Sequence, residues 1–126
     1  MKILLTRPID DSIITSKILS QVGIETLIIP FLEIGRVNYK ELKISPSDCI
    51  IFTSKNAANF FRFEKQFRNN SIFSVGGITK KILQEKGFQN IINADENLEK
   101  LLTLLQKKLK KGDVIFHPTY KKLNLK

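Results

Sequence analysis

Two short polar segments each follow an apolar run and precede a helical pattern. The first is T-S-K-N at 53–56, after the apolar run at 50–52, and the second is G-G-I-T at 76–79, after Val75. The first N–H groups of a helix lack partners within the helix and carry the positive end of its dipole. Ligands of open α/β sheets bind where strands end, and helix starts at that edge favour anions. Both segments therefore predict a site for an anionic ligand at the carboxyl edge of a sheet.

Each segment also has a purely structural interpretation. Ser54 and Thr79 are residue types that cap or begin helices, and Gly76 with Gly77 suits a tight turn. Neither a G-x-G-x-x-G fingerprint nor a Walker A motif occurs, because no further glycine follows at the needed spacing and no Gly-Lys-Ser/Thr is present. A dinucleotide or triphosphate ligand is therefore weakly supported, whereas helix capping and ligand binding are compatible roles for the same hydroxyls.

Cysteine and histidine offer little chemistry. The chain has one cysteine, Cys49, and one histidine, His117. This pair cannot assemble a metal site at such spacing, and a single cysteine cannot form an intramolecular disulfide. Cys49 lies in an apolar run, which predicts a buried small hydrophobic residue rather than a nucleophile. We therefore expect no metal ion, and no catalytic acid–base pair is evident.

The chain is strongly basic. It carries 21 lysine and arginine residues against 12 aspartate and glutamate residues, giving a net charge of +9. Such a surplus favours polyanionic partners, whether nucleic acid, a membrane surface or a multiply charged small molecule. Many of the lysines lie in the last twenty residues, where a solvated helix face and tail would also explain them. No signal peptide or membrane-spanning run is recognisable, which predicts a cytoplasmic protein.

Strand and helix patterns alternate along the chain. A β-α-β unit at 1–30 has strands at 2–6 and 26–29 and a helix whose apolar stripe is Ile14, Ile18 and Val22. Periodicity is lost at 31–46, which is typical of a linker or of a loose crossover connection. Alternation then resumes with four strands and three helices. We place the strands at 48–52, 71–75, 89–92 and 113–116, and the helices at 55–67, 78–86 and 96–110. Such alternation predicts an α/β fold with a doubly wound, flavodoxin-like parallel sheet.

Six sequence segments in a fixed order resemble uroporphyrinogen-III synthase. They are L-L-T-R-P, P-F-L-E-I, I-I-F-T-S-K-N-A, S-V-G-G-I-T-K-K-I-L, G-F and N-L-E-K-L-L. The resemblance implies two α/β lobes joined by extended linkers, with the substrate between them. It also implies a cofactor-free lyase that takes hydroxymethylbilane, an octacarboxylate, removes the ring D hydroxyl as water, and closes the macrocycle with ring D inverted through a spiro intermediate.

The resemblance also implies which residues contact the substrate, mainly through main-chain amides and small hydroxyls. It places eight positions in three turns: Arg7 and Pro8; Ser54, Lys55 and Asn56; and Gly77, Ile78 and Thr79. No catalytic residue is assigned by it. Arg7 has an alternative interpretation as a surface residue or an ion-pair partner.

The chain departs from the family in length, since members are about twice as long. The resemblance therefore implies an incomplete first lobe at 1–30, a linker at 31–46, and a C-terminally shortened second lobe at 47–126. Thr119-Tyr120 replaces the glycine expected after Pro118, and Tyr120 does not match the family's cleft tyrosine. Three expectations follow: a homodimer, pairing with a separately encoded second half, or a remnant that folds without catalysing.

Two other function classes remain open. A non-catalytic α/β module that binds an anionic ligand would share the alternation, although a receiver domain would need acidic residues where Thr6-Arg7-Pro8 and Thr53-Ser54 stand. A nucleic-acid-binding role would use the basic surplus. The nine phenylalanines lie mostly in apolar runs rather than among basic residues, so the sequence does not favour nucleic acid.

Overall fold

Strands and helices alternate along the chain, and the predicted α/β class with parallel strands is confirmed. The computed structural model describes residues 1–40, 42–95 and 97–119, which contain six strands and four α-helices. The chain divides into two compact units, Met1–Arg36 and Val37–Lys126. The assignment of these parts as a first lobe, a linker and a second lobe stays a prediction.

The first unit is a two-stranded parallel sheet with one helix. Its elements are β1 (Lys2–Leu5), α1 (Ile9–Ser20) and β2 (Glu25–Ile28). Pro8 precedes α1, and its carbonyl accepts the Ser12 N–H at 3.0 Å. Gly23 has φ +76°, which ends the helix because this left-handed conformation suits glycine.

The predicted core-facing stripe of α1 is wrong. Ile14, Ile18 and Val22 are 57%, 60% and 71% exposed. The helix instead turns small polar residues towards the sheet: Ser12 is buried, and the Ser16 hydroxyl lies 2.5 Å from the Thr26 hydroxyl. Two strands cover only a narrow strip of the helix, so hydroxyl contacts take the place of an aliphatic core there.

The second unit is a four-stranded, all-parallel sheet with the strand order β5-β4-β3-β6. Its elements are β3 (Cys49–Phe52), α2 (Lys55–Phe60), a 3₁₀ helix (Lys65–Asn69), β4 (Ser71–Ser74), α3 (Gly77–Glu85), β5 (Ile91–Asn93), α4 (Leu98–Lys108) and β6 (Ile115–Phe116). Helices α2 and α3 contribute to the core on one face of the sheet, and α4 contributes to the core on the other.

Strand β3 is buried on both faces, which is typical of an uninterrupted apolar run in a parallel sheet. Ile50 and Phe52 contribute to the core that α2 and α3 share, whereas Cys49 and Ile51 contribute to the core beneath α4. Phe52 meets the Phe61 ring edge-on, with centroids 5.2 Å apart, and such contacts add to the free energy of burial. Backbone hydrogen bonds join this strand to β4 on one side and to β6 on the other.

Helix α2 is shorter than the predicted helix at 55–67. It ends at Phe60, and Phe61 is extended with ψ 130°. The Lys86 ammonium donates to the carbonyls of Asn59 and Phe61, which occupies acceptors at the helix end. Phe61 and Phe67 then both enter the aromatic cluster, and their rings lie 5.6 Å apart. A continuous helix would not present both rings to one core, so burial of the aromatic rings overrides helical propensity here.

Helix α4 begins and ends two residues inside its predicted bounds of 96–110. The Asn97 side chain accepts the Lys100 N–H at 3.1 Å and so fixes the start of the helix, while Glu96 lies outside the described residues. The leucines of this helix are only partly buried. Leu101 and Leu105 are core residues, whereas Leu98 and Leu102 are exposed.

The segment before β3 is anchored to the rest of the second unit. Tyr39 stacks on Phe61 with ring centroids 6.0 Å apart, and its hydroxyl accepts the Arg62 N–H at 3.0 Å. Nearer the strand, the buried Asn70 amide donates to the carbonyls of Ser45 and Asp48, both at 2.8 Å. The amide therefore joins the turn before β3 to the residue before β4.

We predict that Asn70→Ala lowers the free energy of unfolding by about 1–3 kcal/mol, because the Ser45 and Asp48 carbonyls lose their donor and the bond to Asp48 is buried. The matched control is Asn69→Ala, since Asn69 is exposed and its recorded bond uses its main-chain carbonyl. Urea denaturation of both variants measures the difference. Equal losses in the two variants would contradict the anchoring role.

Candidate functional site

The two polar segments identified in the sequence leave the sheet side by side. Strands β3 and β4 are adjacent and parallel, and the Val75 N–H donates to the Phe52 carbonyl at 3.0 Å, just where the strands end. Segments 53–56 and 76–79 therefore share the carboxyl edge of the second unit. This is the edge at which open α/β sheets bind ligands.

Segment 53–56 starts α2 with a side-chain cap. The Ser54 hydroxyl accepts the Asn56 N–H at 3.2 Å, which satisfies one of the helix's unpaired donors. Ser54 is exposed, and Lys55 and Asn56 are half-buried. Ser54 therefore caps helix α2, and it is also exposed to solvent.

Segment 76–79 starts α3 without a side-chain cap. Gly76 has φ +88°, a conformation that favours glycine, and the helix begins at Gly77. Ile78 is 67% exposed, whereas Thr79 is only 4% exposed. This segment therefore offers Gly77, which has no side chain, and Ile78 to solvent, and a substrate contact by the Thr79 hydroxyl stays a prediction.

A third turn, between β5 and α4, lies beside the glycine turn. The Gly76 N–H donates to the Asp95 carbonyl, and Asp95 itself has φ +54°. Side chains continue the link: the buried Ser74 hydroxyl donates to Asn93 Oδ1 at 3.0 Å, and the Asn93 amide donates to the Asp95 carboxylate at 3.3 Å. Sequence analysis missed this turn, although it too is a polar segment between a strand and a helix.

The third turn brings a paired carboxylate to the edge. Lys100 Nζ lies 2.5 Å from Asp95 Oδ2. The hydrogen bond from Lys100, the charge of Lys100 and, to a smaller extent, the charge of Lys80 hold the pKa of the Asp95 carboxyl below its usual value. Asp95 therefore stays ionised and keeps Lys100 directed at the turn.

The single histidine lies at the same edge. His117 follows β6, which pairs with β3, and its Nε2 atom lies 3.0 Å from the Thr53 hydroxyl. Both residues are exposed. Sequence analysis did not select His117, because 64 residues separate it from Thr53 and no local motif indicates that the last strand pairs with β3.

Arg7 and Pro8 belong to the first unit. The Arg7 guanidinium lies 3.2 Å from Asp11 Oδ2. Arg7 therefore forms an ion pair, as its alternative interpretation proposed. The Arg7 carbonyl also accepts the Ser12 hydroxyl at 2.9 Å. The structure thus gathers six of the eight predicted positions at one edge of the second unit, and the remaining two follow β1 in the first unit.

The surplus positive charge resides in one unit. Met1–Arg36 contains four basic and four acidic residues, whereas Val37–Lys126 contains 17 lysine and arginine residues against eight carboxylates. The whole net charge of +9 therefore belongs to the unit that carries the six predicted positions. Long-range attraction of an anion is directed to that unit.

Cys49 has the buried environment that its sequence position predicted. It is 1% exposed, and burial, together with the charges of Asp113 and Asp48, raises the pKa of the thiol. Within residues 1–40, 42–95 and 97–119, no group of three histidine, cysteine or acidic side chains is arranged to hold a metal ion. No helix in these ranges is long and apolar enough to cross a membrane.

The first unit has a shallow cavity of about 500 Å³, away from the turn that carries Arg7 and Pro8. Lys2 and Glu25, at the amino ends of β1 and β2, help to line it, and they form an ion pair of 3.2 Å. None of the eight predicted positions lines this cavity. It is therefore not the site that the strand-end turns describe.

The chain matches a protein-family model over most of its length. The family model described as Uroporphyrinogen-III synthase HemD matches residues 14–122, which is most of the chain. The matched range contains all six predicted positions of the second unit, and Arg7 and Pro8 lie before it. No curated protein matches this chain.

We predict that Lys100→Gln raises the pKa of Asp95 towards its usual value, because it removes the principal cause of the lowering. Since the folded-state pKa is lowered, the ionised carboxylate stabilises the fold above the unfolded-state pKa of about 3.9, and this contribution is lost as pH falls through the folded-state pKa. An NMR titration of the Asp95 carboxyl measures the change. Lys107→Gln, on the same helix, is the control, and an equal pKa rise there would refute the assignment.

Proposed function

This chain belongs to the uroporphyrinogen-III synthase family, and we propose that it converts hydroxymethylbilane to uroporphyrinogen III, closing the macrocycle with ring D inverted and water lost. Family membership supports a role in tetrapyrrole biosynthesis. The proposed reaction is that of a hydro-lyase without a cofactor, and the substrate is an octacarboxylate.

The observation that carries this proposal is the adjacency of two helix-starting turns in a strongly basic unit. Segments 53–56 and 76–79 leave neighbouring strands at one edge, and all of the net positive charge belongs to the same unit. Main-chain N–H groups at helix starts bind carboxylates by hydrogen bonding and by the dipole of the helix. An octacarboxylate offers several carboxylates to such an edge.

The eight predicted positions have different proposed contributions. Gly77 and Ile78 supply main-chain donors at the start of α3, while Lys55 supplies charge beside the exposed Ser54 hydroxyl. Thr79 is buried next to Gly76, which fits support of the glycine turn as part of its role. The full proposed set of substrate-contacting residues remains Arg7, Pro8, Ser54, Lys55, Asn56, Gly77, Ile78 and Thr79.

A second candidate function is a non-catalytic module that binds an anionic ligand or nucleic acid. The same charge distribution favours it, because 17 basic residues in one unit attract any polyanion. Catalysis separates the two candidates. Hydroxymethylbilane closes spontaneously to the type I isomer, so formation of the type III isomer reports the enzyme, and type I alone supports the binding module.

We predict that the wild type yields the type III isomer and that Ile78→Asp lowers its kcat/KM about fivefold, because one added carboxylate at the start of α3 repels substrate carboxylates by about 1 kcal/mol. Asp in the first turn of a helix also favours folding, so stability would not fall in parallel. The measurement is separation of the oxidised products after reaction with hydroxymethylbilane. Ile78→Asn is the uncharged control, and an equal loss in that variant would contradict the electrostatic argument.

We also propose that the first unit is covered by a second copy of this chain. Parallel sheets are normally buried on both faces, yet Leu4 and Leu27, which are register partners in β1 and β2, are 50% and 55% exposed. Other large apolar side chains of this unit are exposed too, namely Met1, Ile9, Ile13, Ile14, Ile18, Val22, Ile29, Phe31, Leu32 and Ile34. Self-association would bury this surface, and a separately encoded chain is the competing occupant.

Leu27→Glu should convert a dimer into a 14.5 kDa monomer, because a charge placed in the buried face opposes association. Sedimentation velocity at low micromolar concentration measures the mass of each species. Leu102→Glu is the control, since Leu102 is equally exposed but lies on α4 of the second unit. A wild type that sediments at 14.5 kDa would refute self-association.

A further inference from the structure

We propose that His117 is a further substrate-contacting residue, which binds a carboxylate of the ligand, and that Thr53 is a positioning residue that holds its ring. This inference rests on the proposed function, because the ligand class comes from it. The argument begins from the ends of β3 and β6. Each of the two residues directly follows one of these paired strands, and their side chains meet at 3.0 Å.

The hydrogen bond between the two side chains leaves one ring nitrogen for a ligand. Within the described residues, the His117 ring makes this one hydrogen bond, through Nε2. In the arrangement that we propose, the Thr53 hydroxyl donates to Nε2, so the neutral ring carries its proton on Nδ1. Nδ1 then presents an N–H group, which a carboxylate accepts. With Nε2 as the donor to Thr53, a neutral ring would leave Nδ1 as an acceptor, so the direction of this hydrogen bond decides what His117 offers to a ligand.

Positively charged side chains occur at both ends of the edge. Following the strand order, the edge runs from the β5 turn through the β4 and β3 turns to the β6 end. Its β5 end bears Asp95 together with Lys100, which pairs with it, and Lys80, whose charge also acts on it. The β3 and β6 ends bear Lys55 and His117. The position of His117 at a strand end, and not a difference in charge along the edge, therefore supports its role as a carboxylate contact.

The bond between Thr53 and His117 is also a poor candidate for a purely stabilising contact. Both residues are exposed, and a hydrogen bond between neutral exposed groups contributes little net free energy because water competes for each partner. Its geometric effect is larger than its effect on stability. It holds an imidazole beside Thr53, the residue before Ser54, at a strand end where ligands bind.

The test is a binding titration with an octacarboxylate porphyrin, which is the oxidised form of the proposed product. The fluorescence of the porphyrin reports binding. We expect His117→Ala to weaken binding about tenfold and Thr53→Val about threefold, with no further loss when Thr53→Val is added to His117→Ala. That non-additivity identifies positioning, because two independent contributions would add. Thr103→Val is the matched control, since this exposed hydroxyl on α4 bonds only to the Glu99 carbonyl among the described residues.

A second measurement needs no variant. His117 is the only histidine, so its ring resonances are unambiguous in a ¹H–¹³C NMR spectrum, and a porphyrin bound against the ring would shift them strongly. Unshifted resonances at saturating porphyrin, or equal affinity of wild type and His117→Ala, would overturn this inference and leave the proposed function standing. If the wild type neither binds the porphyrin nor forms the type III isomer, the proposed function fails and this inference fails with it.

Discussion

The structure of the second unit depends on burial of one strand on both faces. The residues of C-I-I-F alternate between two cores, so every side chain of β3 is packed and every neighbouring strand takes its register from it. Because the flanking strands are parallel to β3, all of their carboxyl ends emerge at one edge. The hydrophobic effect thus decides where the polar turns lie, and the positions of hydroxyls, amides and charges follow from it.

The sequence indicated the parts of this arrangement that depend on uninterrupted local patterns. The apolar run of β3, the glycines that begin and end helices, and the order of strands and helices are encoded within windows of about ten residues. The early end of α2 was not predictable in this way, because it depends on Phe61 packing against Phe52 and Phe67 from different elements. Helical periodicity is visible in a sequence, whereas competition among aromatic rings for one core is not.

The residues of the candidate site also differ in whether a local sequence pattern could predict them. Segments 53–56 and 76–79 were recognisable because each is a local strand-to-helix turn. His117 was not, since its place depends on β6 pairing with β3 across 66 residues (Cys49 with Ile115), and strand order is a property of the whole sheet. Asp95 is an intermediate case. Its turn has the same local form as the other two turns, but the hydrogen bond from the Gly76 N–H to its carbonyl depends on the adjacency of the strands. Residues that complete a site across strands are therefore the ones that local analysis misses.

The two units also differ in the interactions that stabilise each of them internally. In the second unit, apolar side chains from three helices cover both faces of a four-stranded sheet, so burial of rings and aliphatic groups dominates. In the first unit, α1 meets the sheet through hydroxyls such as Ser16 and Thr26, and isoleucines point outward. Hydrogen bonds of this kind contribute about 0.5–1.5 kcal/mol each, which is less than full burial of an isoleucine provides. Burial of the exposed isoleucines would therefore stabilise this unit more than its hydroxyl contacts do. Such burial requires contact with further apolar surface.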